Sequence, residues 1–311
     1  MPLLSLDDFR VDFRSPCCQS TIVDDLTRCS SCNKEFPRVN GAPVLVDFDH
    51  SAIDREESIA SAGASQVART KRLGLVSKLA GFVVASNPVA AGNIEKFLQL
   101  LGSREQAPRI LVVGGSTIGS GVGALYDAPD IGIIAFDIYQ SRFVQFIADG
   151  HSIPLRPKSI DGVIIQAVLE HVLEPETVVS ELRRVLRPGG LIYAETPFMQ
   201  QVHEGPFDFV RYTESGHRYL FRHFAELASG SVAGPGESMV WAASYFFRGL
   251  FRSQTAGRAT RAMLFWLRWF DRIIPPAYAI DGACGCYFLG TLTDSPITGR
   301  EVIRRYRGAG R

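Results

Sequence analysis

Apolar residues collect into four short runs between Arg109 and about Phe224: "RILVVGG", "IGIIAFD", "DGVIIQAV" and "GLIYAETP". Each is brief and apolar at nearly every position rather than every second one, which predicts strands covered on both faces. Between the last two, "PETVVSELRRVLRPGG" spaces its apolar residues three and four apart and stops at Pro188 and two glycines, the pattern of an amphipathic helix with its terminator. Strands alternating with helices predict βαβ units in a doubly wound, mostly parallel α/β sheet, whose ligands gather at the carboxyl ends of the strands.

The flanks read differently. Residues 1–50 bear cysteines and short strand-like runs ending in "FPRVNGAPVLVD". Residues 51–105 form a polar, Ala/Ser-rich linker from Ser51 to about Lys71, then a helix at "NIEKFLQLLGS" with Gly102 as its stop. The sheet-forming core occupies 106–230. Residues 231–311 contain two very apolar helical stretches and a closing strand at "CGCYFLGTL". In "RAMLFWLRWFDRIIPP" the residues Arg261, Arg268, Asp271 and Arg272 make a narrow polar stripe on one helix. That pattern fits a helix capping the core, a homodimer contact or a helix lying on a membrane surface.

Composition narrows the partners. The chain has 311 residues, 46% of them hydrophobic and 21% charged, with a formal charge of +1. There is no global basic field and no clear basic stripe, which argues against a nucleic-acid partner. The start "MPLLSLDDFR" lacks a cationic segment followed by an apolar run, and no stretch is long enough to span a bilayer, so a cytoplasmic location is expected. Cys17, Cys18, Cys29 and Cys32 cluster early, which in a reducing compartment points to metal chemistry before disulfides. Cys284 and Cys286 alternate along a strand and read as small buried hydrophobes.

The first strand runs into "GGSTIGSGVGA". A P-loop is excluded because Ser-Gly stands where Lys and Ser or Thr are required. "GSGVGA" satisfies the dinucleotide pattern but begins five residues past the strand end. Asp137, closing the second strand, suits the ribose hydroxyls of either a dinucleotide or S-adenosylmethionine (SAM); alternatively it caps the next helix.

Later text decides between them. "ADGHSIPLRPKSIDGVIIQAVLEHVLEPETVVSELRRVLRPGGLIYAETPF" resembles the class I SAM-dependent methyltransferases of the large UbiE-like group, over about residues 107 to 224. The resemblance implies a Rossmann-like fold. It also implies a SAM site in which Gly114, Gly115, Ser116 and Gly119 approach the methionine end and Asp137 with Ile138 holds the ribose. Asp149 takes the adenine amino group, Gly150 or His151 lies beside the ring, and Gln166 with Ala167 lines the cofactor. Two positions depart from the family pattern: Val112 stands where an acidic residue is common, and Ser116 replaces a glycine. Glu170 and His171 of "LEH" are candidates for a chemical role, but in this family "LEH" usually packs behind the cofactor or caps the following helix.

"SPCCQSTIVDDLTRCSSCNKEFPRVNGAPVLVD" resembles a small zinc-ribbon family that activates tRNA and protein methyltransferases. Cys29-x-x-Cys32 fits, because an x-x spacer turns two thiolates onto one ion. At the first knuckle Ser15 replaces a cysteine, and neighbouring Cys17 and Cys18 would need an unusual turn to face one metal. Either Cys17 substitutes, or three thiolates and another ligand serve, or Zn2+ is absent.

After the last strand, "PFMQQVHEGPFDFVRYTESGHRYLF" resembles an acceptor-side stretch of methyltransferases from glycan and secondary-metabolite clusters. His203 is the expected proton acceptor there, with Asp208 orienting it and His217 as the other candidate. The expected function is methyl transfer from SAM to a small-molecule, glycan-like or lipid-like hydroxyl. An RNA methyltransferase and a non-catalytic SAM-fold binding protein are the alternatives.

Overall fold

A computed structural model describes residues 1–60, 87–102 and 106–310; most of the linker expected after Ser51 lies outside them. The strands are β1 (Ile22–Val23), β2 (Arg28–Cys29), β3 (Arg38–Val39), β4 (Ala42–Leu45), β5 (Arg109–Val113), β6 (Gly132–Asp137), β7 (Phe146–Ala148), β8 (Ile160–Gln166), β9 (Leu186–Pro197), β10 (Phe224–Ala233) and β11 (Gly285–Leu292). β1 and β2 form a separate hairpin. The other nine make one sheet in the order β10-β11-β9-β8-β5-β6-β7-β4-β3. β5 to β9 and β4 are parallel, β11 is inserted antiparallel between β9 and β10, and β3 is antiparallel to β4. This is the Rossmann-like, mostly parallel α/β sheet that the four apolar runs predict.

The helix Pro88–Leu101 covers one face with Ile94 and Phe97, both fully buried. Gly162 of β8 leaves room for it, since a Cβ there would stand 2.5 Å from the Phe97 ring. The helix Pro175–Val185 covers the other face through Val178, Val179, Leu182 and Val185.

The first 50 residues are built into this sheet. β4 extends it by pairing parallel with β7, and Leu4 donates its N–H to Ile133 O at 3.0 Å. Phe9 and Phe13 share one hydrophobic core with β5–β9, with the Phe13 ring edge-on to Phe146 at 5.1 Å and Phe146 stacked on Phe136 at 5.5 Å. Asp12, also buried, pairs with Arg109 at the start of β5 and with Arg156 before β8.

The C-terminal apolar stretch departs from the single helix expected. The helix Gln254–Met263 stops, and a 3-10 segment Phe265–Arg272 follows. Both pack chiefly against the helix Pro235–Leu250 and against each other. The bend brings Asp271 to the N-terminus of Pro235–Leu250, where it accepts from the N–H groups of Gly234, Gly236 and Glu237 at 2.6–3.2 Å. A carboxylate there satisfies orphan donors and meets the positive end of the helix dipole. Gly236 permits the approach, since a Cβ would lie 2.2 Å from Leu267 O.

Because Phe13 and Phe146 belong to one core, Phe13→Ala is expected to lower the unfolding free energy of the whole chain by about 3–5 kcal/mol. Urea unfolding should remain one transition by circular dichroism and by fluorescence of the distant C-terminal tryptophans. A separate transition for the N-terminal segment would contradict a shared core.

Candidate functional site

β5 lies between β6 and β8, so the loops leaving β5 and β8 diverge and open a crevice at the carboxyl edge of the sheet. The glycine turn sits on one wall. Gly114 has φ +72°, and a Cβ on it would stand 2.3 Å from Val168 Cγ2, so both its conformation and its surroundings require glycine. Ser116 and Tyr139 donate backbone N–H groups to the two oxygens of Asp137 at 2.9 and 3.2 Å. Asp137 therefore fixes the turn and still has unused lone pairs. Ile138, next along, is 38% exposed. Gly119 lies against Gln166, whose Oε1 would stand 1.7 Å from a Cβ there.

Gln166 binds this wall to the next strand. Its Nε2 donates to Ser120 O at 3.0 Å and to Glu195 Oε2 at 2.8 Å. Glu195, buried on β9, also accepts from Asn87 Nδ2 at 3.1 Å and from the Tyr193 hydroxyl, and burial holds its carboxyl above the usual range. Ala167 follows with φ +54°, a left-handed conformation uncommon for a residue with a Cβ.

Asp149 lies beyond β7, beside Gly150. Burial works against its charge, yet hydrogen bonds from His151 and Ser51 hold its carboxyl below the usual range. His151 Nδ1 is 2.6 Å from Oδ1, and the Ser51 hydroxyl donates to Oδ2. Ser51 and Asn87 thus bring the flanks of the N-terminal linker to opposite parts of the site.

His203 and Asp208 meet on the loop after β9. Asp208 accepts the His203 backbone N–H at 2.9 Å, and its Oδ2 is 3.4 Å from His203 Nδ1. Although burial opposes it, Arg211 holds Asp208 down at about 2 through hydrogen bonds, one of them 2.8 Å long. Burial lowers the His203 pKa, so its imidazole is neutral near pH 7. Glu170 lies close by, 1% exposed, with neither carboxyl oxygen hydrogen-bonded, and burial pushes its pKa up to about 8. Its Oε1 is 3.9 Å from His203 Nε2 and 3.7 Å from His171 Nε2. His171 is pinned through Nδ1 to Phe207 O at 2.7 Å, which leaves Nε2 facing Glu170. The three donor atoms lie within 4.8 Å of one another, a spacing a divalent ion could also use. His217 stands apart: it is 2% exposed, with its ring edge-on to Phe221 at 5.0 Å, and burial pushes its pKa down to about 3.

At the N-terminal hairpin all four cysteines converge. Cys17 Sγ is 3.4 Å from Cys32 Sγ, Cys18 Sγ is 3.3 Å from Cys29 Sγ, and Cys17 and Cys18 are 3.8 Å apart. Gln19, at φ +57°, supplies the unusual turn that lets adjacent cysteines face inward together. Ser15 occupies the missing-cysteine position but stays buried, accepting from Cys29 Sγ at 3.3 Å and from Ser20 N–H at 3.1 Å. Cys284 and Cys286 are buried, and burial pushes both thiols up to about 12.

Glu195 is the site residue that sequence reasoning misses, and Glu170 the one that the resemblance sets behind the cofactor. Each is a lone acid in an apolar stretch, "LIYAETP" and "AVLEHV", which is the available signal of a buried carboxyl.

Comparison with known proteins finds methyltransferases. Residues 130–194 match the family described as methyltransferase domain. A demethylmenaquinone methyltransferase of Renibacterium salmoninarum is 37% identical over 94 residues, covering 30% of this chain and 36% of that protein. A chloroplastic methyltransferase of Arabidopsis thaliana is 31% identical over 84 residues, covering 27% and 22%. A crystal structure of a SAM-dependent methyltransferase from Archaeoglobus fulgidus aligns over 70% of this chain and 100% of that one, with 13% identity and a TM-score of 0.41. The chain spans only 15–36% of the length of the curated relatives it matches.

The burial of His217 has a measurable consequence. Its folded pKa of about 3 lies below the ordinary histidine value, so below about pH 6.5 the unfolded chain binds the extra proton. Stability should therefore fall on acidification from 6.5, with this residue adding a slope of up to about 1.4 kcal/mol per pH unit. His217→Leu should remove that increment from the pH dependence of urea unfolding. An unchanged slope would mean that His217 is protonated in the folded protein.

Proposed function

We propose that the chain is a SAM-dependent methyltransferase whose acceptor is a hydroxyl on a small molecule, glycan or lipid-like compound. What supports the reading is that the Gly114–Gly115 turn, Asp137 and Asp149 stand at or just past the carboxyl ends of the neighbouring strands β5, β6 and β7, within and beside the segment that matches methyltransferase domains.

The residues present fit the cofactor. The close backbone at Gly114 and Gly115 would meet its methionine end, Asp137 would accept from the ribose hydroxyls with the lone pairs it has spare, and Asp149 would accept from the adenine amino group. Bound SAM supplies an electrophilic methyl on sulfur, and the chain contributes positioning and a site shielded from water. His203 takes the acceptor proton through Nε2. An alcohol is far too weak an acid to ionise near pH 7, whereas a neutral imidazole accepts a proton there. Asp208 fixes the segment that carries His203 and favours the imidazolium that forms. Glu170 stands 3.9 Å from His203 Nε2, and burial raises its pKa.

For the N-terminal hairpin we infer one structural zinc ion held by Cys17, Cys18, Cys29 and Cys32. The sulfur separations of 3.3–3.8 Å support it, because zinc–sulfur bonds of about 2.3 Å set tetrahedral edges close to those values. Such an ion cross-links a hairpin whose own apolar content is small.

Asp137→Ala should weaken SAM binding by about 1.5–3 kcal/mol in a calorimetric titration. His203→Ala should keep SAM affinity within about twofold while methyl transfer from labelled SAM, into acceptors drawn from metabolite extract, slows by about a hundredfold or more. Tight NAD binding without a SAM response would overturn the cofactor; unchanged turnover would remove His203 as the base.

Purified protein should carry up to one equivalent of zinc, and Cys29→Ser/Cys32→Ser should lose it in elemental analysis. Protein prepared without chelator that contains no zinc would contradict this assignment. Metal surviving in the variant would belong to Glu170, His171 and His203 instead.

A further inference from the structure

The layer formed by the helix Pro235–Leu250, the helix Gln254–Met263 and the segment Phe265–Arg272 turns much of its apolar surface outward. Trp269 is 59% exposed and Ile273 74%, and Phe246, Phe251, Met263 and Phe270 are exposed beside them. An outward face of this kind does not cap a core, and so many large apolar side chains together mark a contact surface.

What the face meets follows from its charge. Residues 235–273 carry six arginines and two acidic residues, Glu237 and Asp271, and Glu237 is paired with Arg268. Asp271 is turned inward to cap Pro235–Leu250 and so does not offset charge at the surface. Arg252, Arg258 and Arg272 are exposed among the aromatic residues. Two copies meeting across a two-fold axis would set arginine-rich faces against each other, which is unfavourable. An anionic surface that also accepts aromatic rings complements it, and a lipid headgroup layer has both properties. The rings are held by one another: Phe265 lies edge-on to Trp269 at 5.5 Å and Trp266 to Phe270 at 5.9 Å. No helix among the described residues is long and apolar enough to cross a membrane, so the fitting mode is contact in the plane of the surface.

We propose that this arginine- and aromatic-rich face docks on an anionic lipid bilayer. The same layer reaches the site already described, because Trp241 lies 6.4 Å from the His203 ring and the Tyr245 hydroxyl donates to Val202 O. Docking would therefore bring the His203 loop near the bilayer surface, where a lipid-linked acceptor is reached without leaving the membrane. That last step rests on the reading of His203 as the acceptor site; the docking does not.

The test is flotation of the full chain with vesicles of phosphatidylglycerol and phosphatidylcholine, against phosphatidylcholine alone, without SAM or acceptor. Anionic vesicles should carry at least about tenfold more protein, and raising the salt severalfold should weaken binding. Trp266→Ser/Trp269→Ser and, separately, Arg258→Glu/Arg272→Glu should each lower binding about tenfold with thermal unfolding unchanged. Should the tryptophan variant fail to fold, the exposed arginine variant decides. Equal binding to neutral and anionic vesicles overturns the proposal. So does a dimer in light scattering that the arginine variant alters while vesicle binding stays as it was. Loss of SAM affinity in the Asp137→Ala protein would leave the flotation result standing, so the two readings fail separately.

Discussion

Everything in the candidate site depends on β5 being hydrogen-bonded on both sides by parallel strands that precede and follow it differently in the chain. A parallel neighbour can be reached only by a crossover, and crossovers of one hand on either side must cover opposite faces of the sheet. The chain leaving β5 and the chain leaving β8 are thereby forced apart, and across the gap between them Gln166 at the end of β8 reaches Ser120 O of the β5 loop. Gly114, Ala167 and Asp137 stand at its rim because they end strands. The left-handed backbone at Gly114 and Ala167 is where that divergence is absorbed. A local conformation that is costly for alanine persists because the buried strands on each side over-determine it.

The sheet was legible because its cause is local: continuous apolar runs of strand length admit few other structures. The strand-end residues were legible for the same reason, since position follows once the strands are known. Contacts between distant parts of the chain were not. Ser51 and Asp149 are 98 residues apart and no periodicity links them. β4 reads as the last strand of a ribbon, yet it completes the large sheet because β7 would otherwise present unpaired backbone at an edge. The cysteine hairpin was half legible. Spacing identified Cys29 and Cys32, whereas the turn through Gln19 that admits both Cys17 and Cys18 depends on backbone geometry outside any spacing rule.

The C-terminal layer shows the limit from the other side. A helical segment apolar nearly all round predicts burial of nearly all of it, but the chain bends at Leu264 and divides the apolar residues between an inner and an outer face. The bend is held by Asp271, which reads in sequence as one member of a polar stripe and acts as a cap for a helix more than thirty residues earlier. Charge on that face is therefore decided by pairing: Asp271 is withdrawn as a cap, Glu237 is paired with Arg268, and Arg252, Arg258 and Arg272 remain outside.

The bond from Ser51 to Asp149 ties two equilibria together. A ligand group that reaches Oδ2 of Asp149 shares that oxygen with the Ser51 hydroxyl, since a carboxylate oxygen accepts more than one hydrogen bond, so binding there and docking of the segment around Ser51 are coupled through a common acceptor. Coupling of this kind is reciprocal: whatever factor the docked segment imposes on the ligand's affinity, the ligand imposes on the segment. On the proposed reading of Asp149 as a ligand acceptor, the segment that follows the cysteine hairpin, far along the chain from the glycine turn, would hold a thermodynamic lever on the crevice, with a hydroxyl and a carboxylate as its fulcrum.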